Sequence, residues 1–94
     1  MTVTPHTDLD IHALRKELKR LVVEECDKDI DPDSIDDDAI LIGGELELDS
    51  LDALQIAMAV KTRYKVSIEG GPEARRALRS ITTLADTILN YANH

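Results

Sequence analysis

Neither Phe nor Trp occurs in this chain, and its aromatic side chains are two tyrosines, Tyr64 and Tyr91. An interior built without large flat rings has to be filled by Leu, Ile, Val, Ala and Met. These pack as a helical bundle and leave few rigid surfaces on which nucleobases stack. With 94 residues the chain has material for one modest core and none for a deep cleft between two lobes. The expectation is a single all-α domain over residues 1–94.

Hydrophobic spacing places the helices. Ile11, Leu14, Leu18, Leu21 and Val22 recur at three- and four-residue steps with Arg15, Lys16, Lys19 and Arg20 between them, which predicts an amphipathic first helix over about 8–26. Residues 27–49 form a long loop broken by Pro32 and Gly43-Gly44. It carries Ile30, Ile35, Ile40, Leu41, Ile42, Leu46 and Leu48, too much apolar content to be left floating away from a core. A second helix is expected over about 50–65, with Ile56, Val60 and Tyr64 on one stripe and Leu51, Leu54 and Met58 on a neighbouring one. One stripe faces the bundle; whether the other is also buried is open at this level.

Pro72 suits the first position of a short third helix over about 72–79. Thr82 or Thr83 is expected to cap a fourth over about 83–92, with Asp86 three residues after Thr83 as in a capping box. The fold class is therefore a small four-helix bundle, three main helices plus one short third helix, with a long loop between helices 1 and 2.

The net charge of −8 argues against nucleic acid and anionic membrane surfaces, which need a basic face. Its distribution is uneven: from Glu24 to Asp52 thirteen acids stand against the single base Lys28. The negative field is concentrated in the segment that leads into Ser50, where it speeds encounter with basic partners or is simply a solvated face. Cys26 is the single cysteine, so no intramolecular disulfide can form. Glu25 and Asp27 beside it are expected to raise its pKa, making it a packing residue. The first ten residues have neither the basic start nor the apolar stretch of a signal peptide, and no apolar run reaches membrane-spanning length. The expected location is cytoplasmic.

Ser50 lies where the acidic loop meets the second helix. Its plainest role is an N-cap whose oxygen accepts a first-turn N–H, with Asp52 favouring the helix dipole. Its sharper role is an exposed hydroxyl that another enzyme modifies covalently. Autonomous nucleophilic catalysis would need an oriented histidine. The candidates are His6, His12 and His94, two of them near the termini, and no G-x-S-x-G elbow surrounds the serine. Asp27, Asp29 and Asp31 imitate the opening of a calcium loop, yet Pro32 stands where a glycine is needed and Asp38 where a bidentate Glu is needed. The histidines are too scattered and Cys26 too isolated for a zinc site. No metal is expected.

The run Leu48-Asp49-Ser50-Leu51-Asp52-Ala53-Leu54, with Met58-Ala59-Val60 and later Ile81-Thr82-Thr83-Leu84-Ala85-Asp86-Thr87-Ile88, resembles an acyl carrier protein over about residues 11–91. The D-S-L tripeptide alone is weak; its place halfway along a short acidic helical chain, after a long loop, makes the combined signal specific. The resemblance implies a non-enzymatic carrier whose serine at the position of Ser50 receives 4′-phosphopantetheine from coenzyme A through a phosphopantetheinyl transferase. It also implies that the acid at Asp49 assists that transfer, and that acyl groups ride on the arm as thioesters of fatty acid, lipid or polyketide-type biosynthesis.

Partners then expected are acyltransferases, ketosynthases or acyl ligases with basic docking surfaces, met by a monomeric carrier through Glu47, Leu51, Asp52, Leu54 and Met58. Two departures point to a specialised rather than housekeeping member. The second helix ends Lys61-Thr62-Arg63-Tyr64-Lys65 where such carriers are usually acidic, and the third carries Arg75, Arg76 and Arg79. An aminoacyl or peptidyl carrier is the nearest alternative, usually less acidic. An acidic adaptor or cation-binding bundle, with Ser50 only a cap, is the alternative from another class.

Overall fold

The computed structural model describes residues 11–44, 46–68 and 70–92. The expected start of the first helix near Asp8 lies outside them. Four α-helices follow in order, α1 (Ile11–Glu25), α2 (Ser50–Tyr64), α3 (Pro72–Ala77) and α4 (Ile81–Ala92), and the described residues contain no strand. This is the small all-α bundle expected, with α1 packed on α2 and α4, and α3 on α4. None of these helices is long and apolar enough to cross a membrane.

α1 buries the stripe its spacing predicts, with Leu18, Leu21 and Val22 fully enclosed. It stops at a left-handed Asp27 (φ 54°), where the Lys28 N–H reaches back to the Val23 carbonyl at 3.0 Å and satisfies an end that has no further helix to bond. α2 contributes Ile56 and Val60, and α4 adds Ile81, Leu84, Ala85 and Ile88. Each large aliphatic side chain so enclosed stabilises the bundle by roughly 1.5–3 kcal/mol. Tyr64, half-buried at the end of α2, donates its hydroxyl to Glu17 of α1. Burial and that carboxylate raise its pKa.

The loop between α1 and α2 is anchored along its length, as its apolar content requires. Ile35, Leu41 and Leu48 sit in the core, and a single 3-10 turn, Pro32–Ser34, is capped by Asp31. Asp37 is the principal tether. Its carboxylate meets Lys19 at 2.7 Å and Arg15 at 3.5 Å on α1, while its carbonyl accepts the Thr82 N–H of α4 at 3.0 Å. Leu41 donates to the Arg79 carbonyl at 2.9 Å. The loop then doubles back through Gly43 and Gly44, closed by a bridge between Ile42 and Leu48. Gly43 has φ of 80°, and a Cβ on Gly44 would lie 2.0 Å from the Ile40 carbonyl oxygen, so both positions require glycine.

Two helix boundaries differ from expectation. α4 starts at Ile81, not Thr83, because Ser80 caps it. The Ser80 hydroxyl accepts the Thr83 N–H at 3.2 Å and Thr83 Oγ1 accepts the Ser80 N–H at 3.0 Å. Thr83 is thus the returning partner of the box, and Asp86 is exposed one turn further on. α3 ends at Ala77, not Arg79, where the chain turns to offer the Arg79 carbonyl to the loop.

Candidate functional site

α2 begins at Ser50, but its cap is the residue before. Asp49 is in extended conformation and its carboxylate accepts the Asp52 N–H at 3.0 Å, while the Asp52 carboxylate accepts the Asp49 N–H at 3.0 Å. The expectation that Ser50 caps the helix is therefore corrected. An ionised carboxylate at this position makes a stronger, charge-assisted bond to an N-terminal N–H than a hydroxyl does, and the pair satisfies two donors reciprocally. The Asp52 N–H first, and then the Leu51 N–H, hold the Asp49 carboxyl below its usual pKa.

Ser50, relieved of capping, is exposed, and its hydroxyl makes no hydrogen bond to any described residue. His12 lines a small depression with Arg15, Lys16, Lys19, Asp33 and Asp37, a set that excludes Ser50. His6 and His94 lie outside the described residues. Of the calcium-like aspartates, Asp31 spends its carboxylate on the Asp33 N–H at 3.0 Å, and among the described residues no three His, Cys, Asp or Glu converge.

The two stripes of α2 are separated in space. Ile56 and Val60 are fully buried, whereas Leu51, Leu54 and Met58 are 63%, 55% and 60% exposed. These three stand at successive three- and four-residue steps and so form one outward ridge running away from Ser50. Glu47 is exposed in the turn just before, in a left-handed conformation (φ 58°). Beside Met58, a shallow groove of about 440 Å³ joins Gln55, Ala59 and Thr62 of α2 to Glu25 of α1. No local pattern announces it, since it depends on how the end of α1 meets the middle of α2.

Asp52 has a second task that the spacing of residues conceals. Its negative charge acts on the Cys26 thiol just beyond the end of α1. Burial foremost, and then the Asp52 carboxylate, push the thiol up to about 11; Lys28 opposes and Glu25 adds a little. The direction is the one expected from sequence, but the chief causes are not the flanking acids.

An exposed hydroxyl with no activating base beside it among the described residues is a poor nucleophile by its own means and a good target for an external enzyme. An anionic phosphoester on its oxygen would sit at the positive end of α2, where backbone N–H groups and the helix dipole favour negative charge. A phosphate-linked group therefore fits the residues present. The family model described as the phosphopantetheine attachment site matches residues 16–71, more than half of the chain. No curated protein and no solved structure gives a match. The chain belongs to the phosphopantetheine-attachment family, non-catalytic carriers to which a phosphopantetheinyl transferase joins 4′-phosphopantetheine covalently and which present it to partner enzymes.

Proposed function

We propose that Ser50 is the attachment residue and that the chain is an acyl carrier protein. The observation that carries this reading is the exposed Ser50 hydroxyl, unbonded among the described residues, at the first position of α2 and inside the matched region. Its Oγ forms a bond to the phosphorus of coenzyme A that bears the pantetheine. The bond from that phosphorus to the nucleotide breaks, adenosine 3′,5′-bisphosphate leaves, and the serine proton passes to a base on the transferase. Asp49, whose carboxylate stays ionised, assists beside it. Acyl groups then ride on the terminal thiol as thioesters, at high effective concentration for each partner without tight binding.

Partner enzymes with basic surfaces dock on the ridge of Leu51, Leu54 and Met58, flanked by Glu47 and Asp52. The strong acidity of the chain favours an acyl over an aminoacyl cargo. Lys61, Arg63 and Lys65 are exposed at the far end of α2, as are Arg75, Arg76 and Arg79. Enzymes that grip an acidic α2 along its whole length would meet positive charge there, which supports a specialised monomeric carrier in a dedicated cytoplasmic pathway of lipid or polyketide type. Intact mass after incubation with coenzyme A and a broad-specificity transferase tests the assignment. One phosphopantetheine adduct, absent in Ser50→Ala, is expected; an adduct that persists in that variant refutes Ser50. Mass spectrometry of the protein from its own host identifies the cargo.

A further inference from the structure

Lys28 is the one base among the thirteen acids between Glu24 and Asp52. A cation so surrounded would ordinarily be drawn into an ion pair, yet its ammonium meets no acceptor among the described residues. Its backbone is held and its charge is not. The left-handed Asp27 turns the chain, and the Lys28 N–H bonds the Val23 carbonyl at 3.0 Å, so this half-buried residue folds back against the last turn of α1.

The pairing of α1 with α2 brings that turn close to Ser50. Tyr64 bonds Glu17, and Glu25 shares a groove with Gln55 and Ala59, so the two helices run antiparallel. Residues just past Glu25 therefore lie level with the first turn of α2, and the action of the Asp52 charge on Cys26 agrees. A lysine stem extends roughly 6 Å, and the serine side chain carries a phosphodiester away from the α2 backbone, which brings the two charges within reach of each other. Without a cation the phosphodiester would be poorly placed. Asp49 has already taken the Asp52 N–H, and the cap sets two carboxylates close to Ser50, two negative charges beside a third. Other bases are committed or distant: Lys19 and Arg15 meet Asp37, and Lys61 stands near the far end of α2, about 16 Å along the helix.

We propose that the Lys28 ammonium is the contact that neutralises the phosphodiester on Ser50, and that this positioning residue thereby draws the root of the arm toward the α1 side of the bundle. The inference rests on Ser50 carrying the arm, and the experiment separates the two. Apo and holo forms are prepared with coenzyme A and a transferase, and loading is verified by intact mass, with Ser50→Ala as the blank. In side-chain NMR, the holo-minus-apo change at the Lys28 Cε and Hε resonances should be at least threefold that at Lys16, Lys19, Lys61 or Lys65. The single phosphorus resonance of the holo protein should shift in Lys28→Gln and return toward its wild-type position in Lys28→Arg. Sodium chloride at about 0.5 M should move the wild-type line toward the Lys28→Gln position and move that of the variant far less. Amide spectra of the apo variants check that the fold is kept, and the salt series on the wild type needs no variant. A phosphorus line that is the same in wild type and Lys28→Gln, or a larger holo-minus-apo change at Arg79 than at Lys28, overturns the contact. Failure to load, or loading that survives Ser50→Ala, is seen in the mass and brings down the Ser50 assignment together with the contact.

Discussion

The Lys19 ammonium and the Asp37 carboxylate lie 2.7 Å apart, joining the middle of α1 to the loop that leads to Ser50. With Arg15 beside it and the Asp37 carbonyl bonded to Thr82, one residue fastens the loop to both α1 and α4.

That contact makes stability depend on acid. The Lys19 hydrogen bond, and after it the charges of Lys19 and Arg15, lower the Asp37 pKa below its ordinary 3.8. A depressed folded pKa stabilises the protein above the unfolded value, and the contribution is lost as pH falls through the folded one. The Asp37 side chain is 37% exposed, so solvent screens the pair. Asp37→Asn should cost about 1 kcal/mol or less at pH 7. In urea melts, the gap between wild type and variant should hold above the ordinary 3.8 and close as pH falls below it; a gap that widens in acid would contradict this account.

Capping by Asp49 rather than Ser50 separates two neighbouring substitutions. Ser50→Ala should leave the melting temperature within the range of an ordinary surface change, ~0.5 kcal/mol. Asp49→Ala should lower it visibly and Asp49→Asn should retain most of the cap. Thermal melts of the three variants settle the order, and Ser50→Ala being the most harmful would reverse the assignment.

Lys65 ends α2 in the left-handed conformation, with φ of 63° and its N–H on the Lys61 carbonyl at 3.0 Å. A side chain here costs roughly 1–2 kcal/mol, part of which glycine gives back through a freer unfolded chain. Lys65→Gly should therefore raise stability by about 0.5–1 kcal/mol, measured by denaturant titration with an unchanged slope.

Cys26, with its pKa near 11 against an ordinary 9.0, should be a sluggish thiol. At pH 8 its thiolate fraction is about 100-fold below that of an unperturbed cysteine, so iodoacetamide labelling of the native protein should be slower than that of the urea-unfolded chain by a similar factor. Asp52→Asn should restore part of the rate only, since burial is the larger cause. The terminal thiol of the phosphopantetheine arm is then the more reactive of the two.

How much of this was readable without coordinates depends on the range of the interaction. The stripes of α1 and α2 were legible because helical periodicity is local: Leu18, Leu21, Ile56 and Val60 follow directly from their spacing. Caps were less legible, because Asp49 and Ser50 are both good N-caps one residue apart, as are Ser80 and Thr83 three apart, and spacing alone does not decide between them. The tether was not legible. Asp36, Asp37 and Asp38 are chemically identical in sequence, and only the approach of Lys19, eighteen positions earlier in the chain, distinguishes the middle one. Which apolar stripe of α2 stays open was equally hidden, because it depends on where α1 and the loop come to rest.

The reciprocal bonds between Asp49 and Asp52 leave the first turn of α2 complete before anything is attached. Folding and freight are thereby uncoupled. If Ser50 is the attachment residue proposed above, the Asp49–Asp52 cap has the helix end in place for the bare and the armed serine alike.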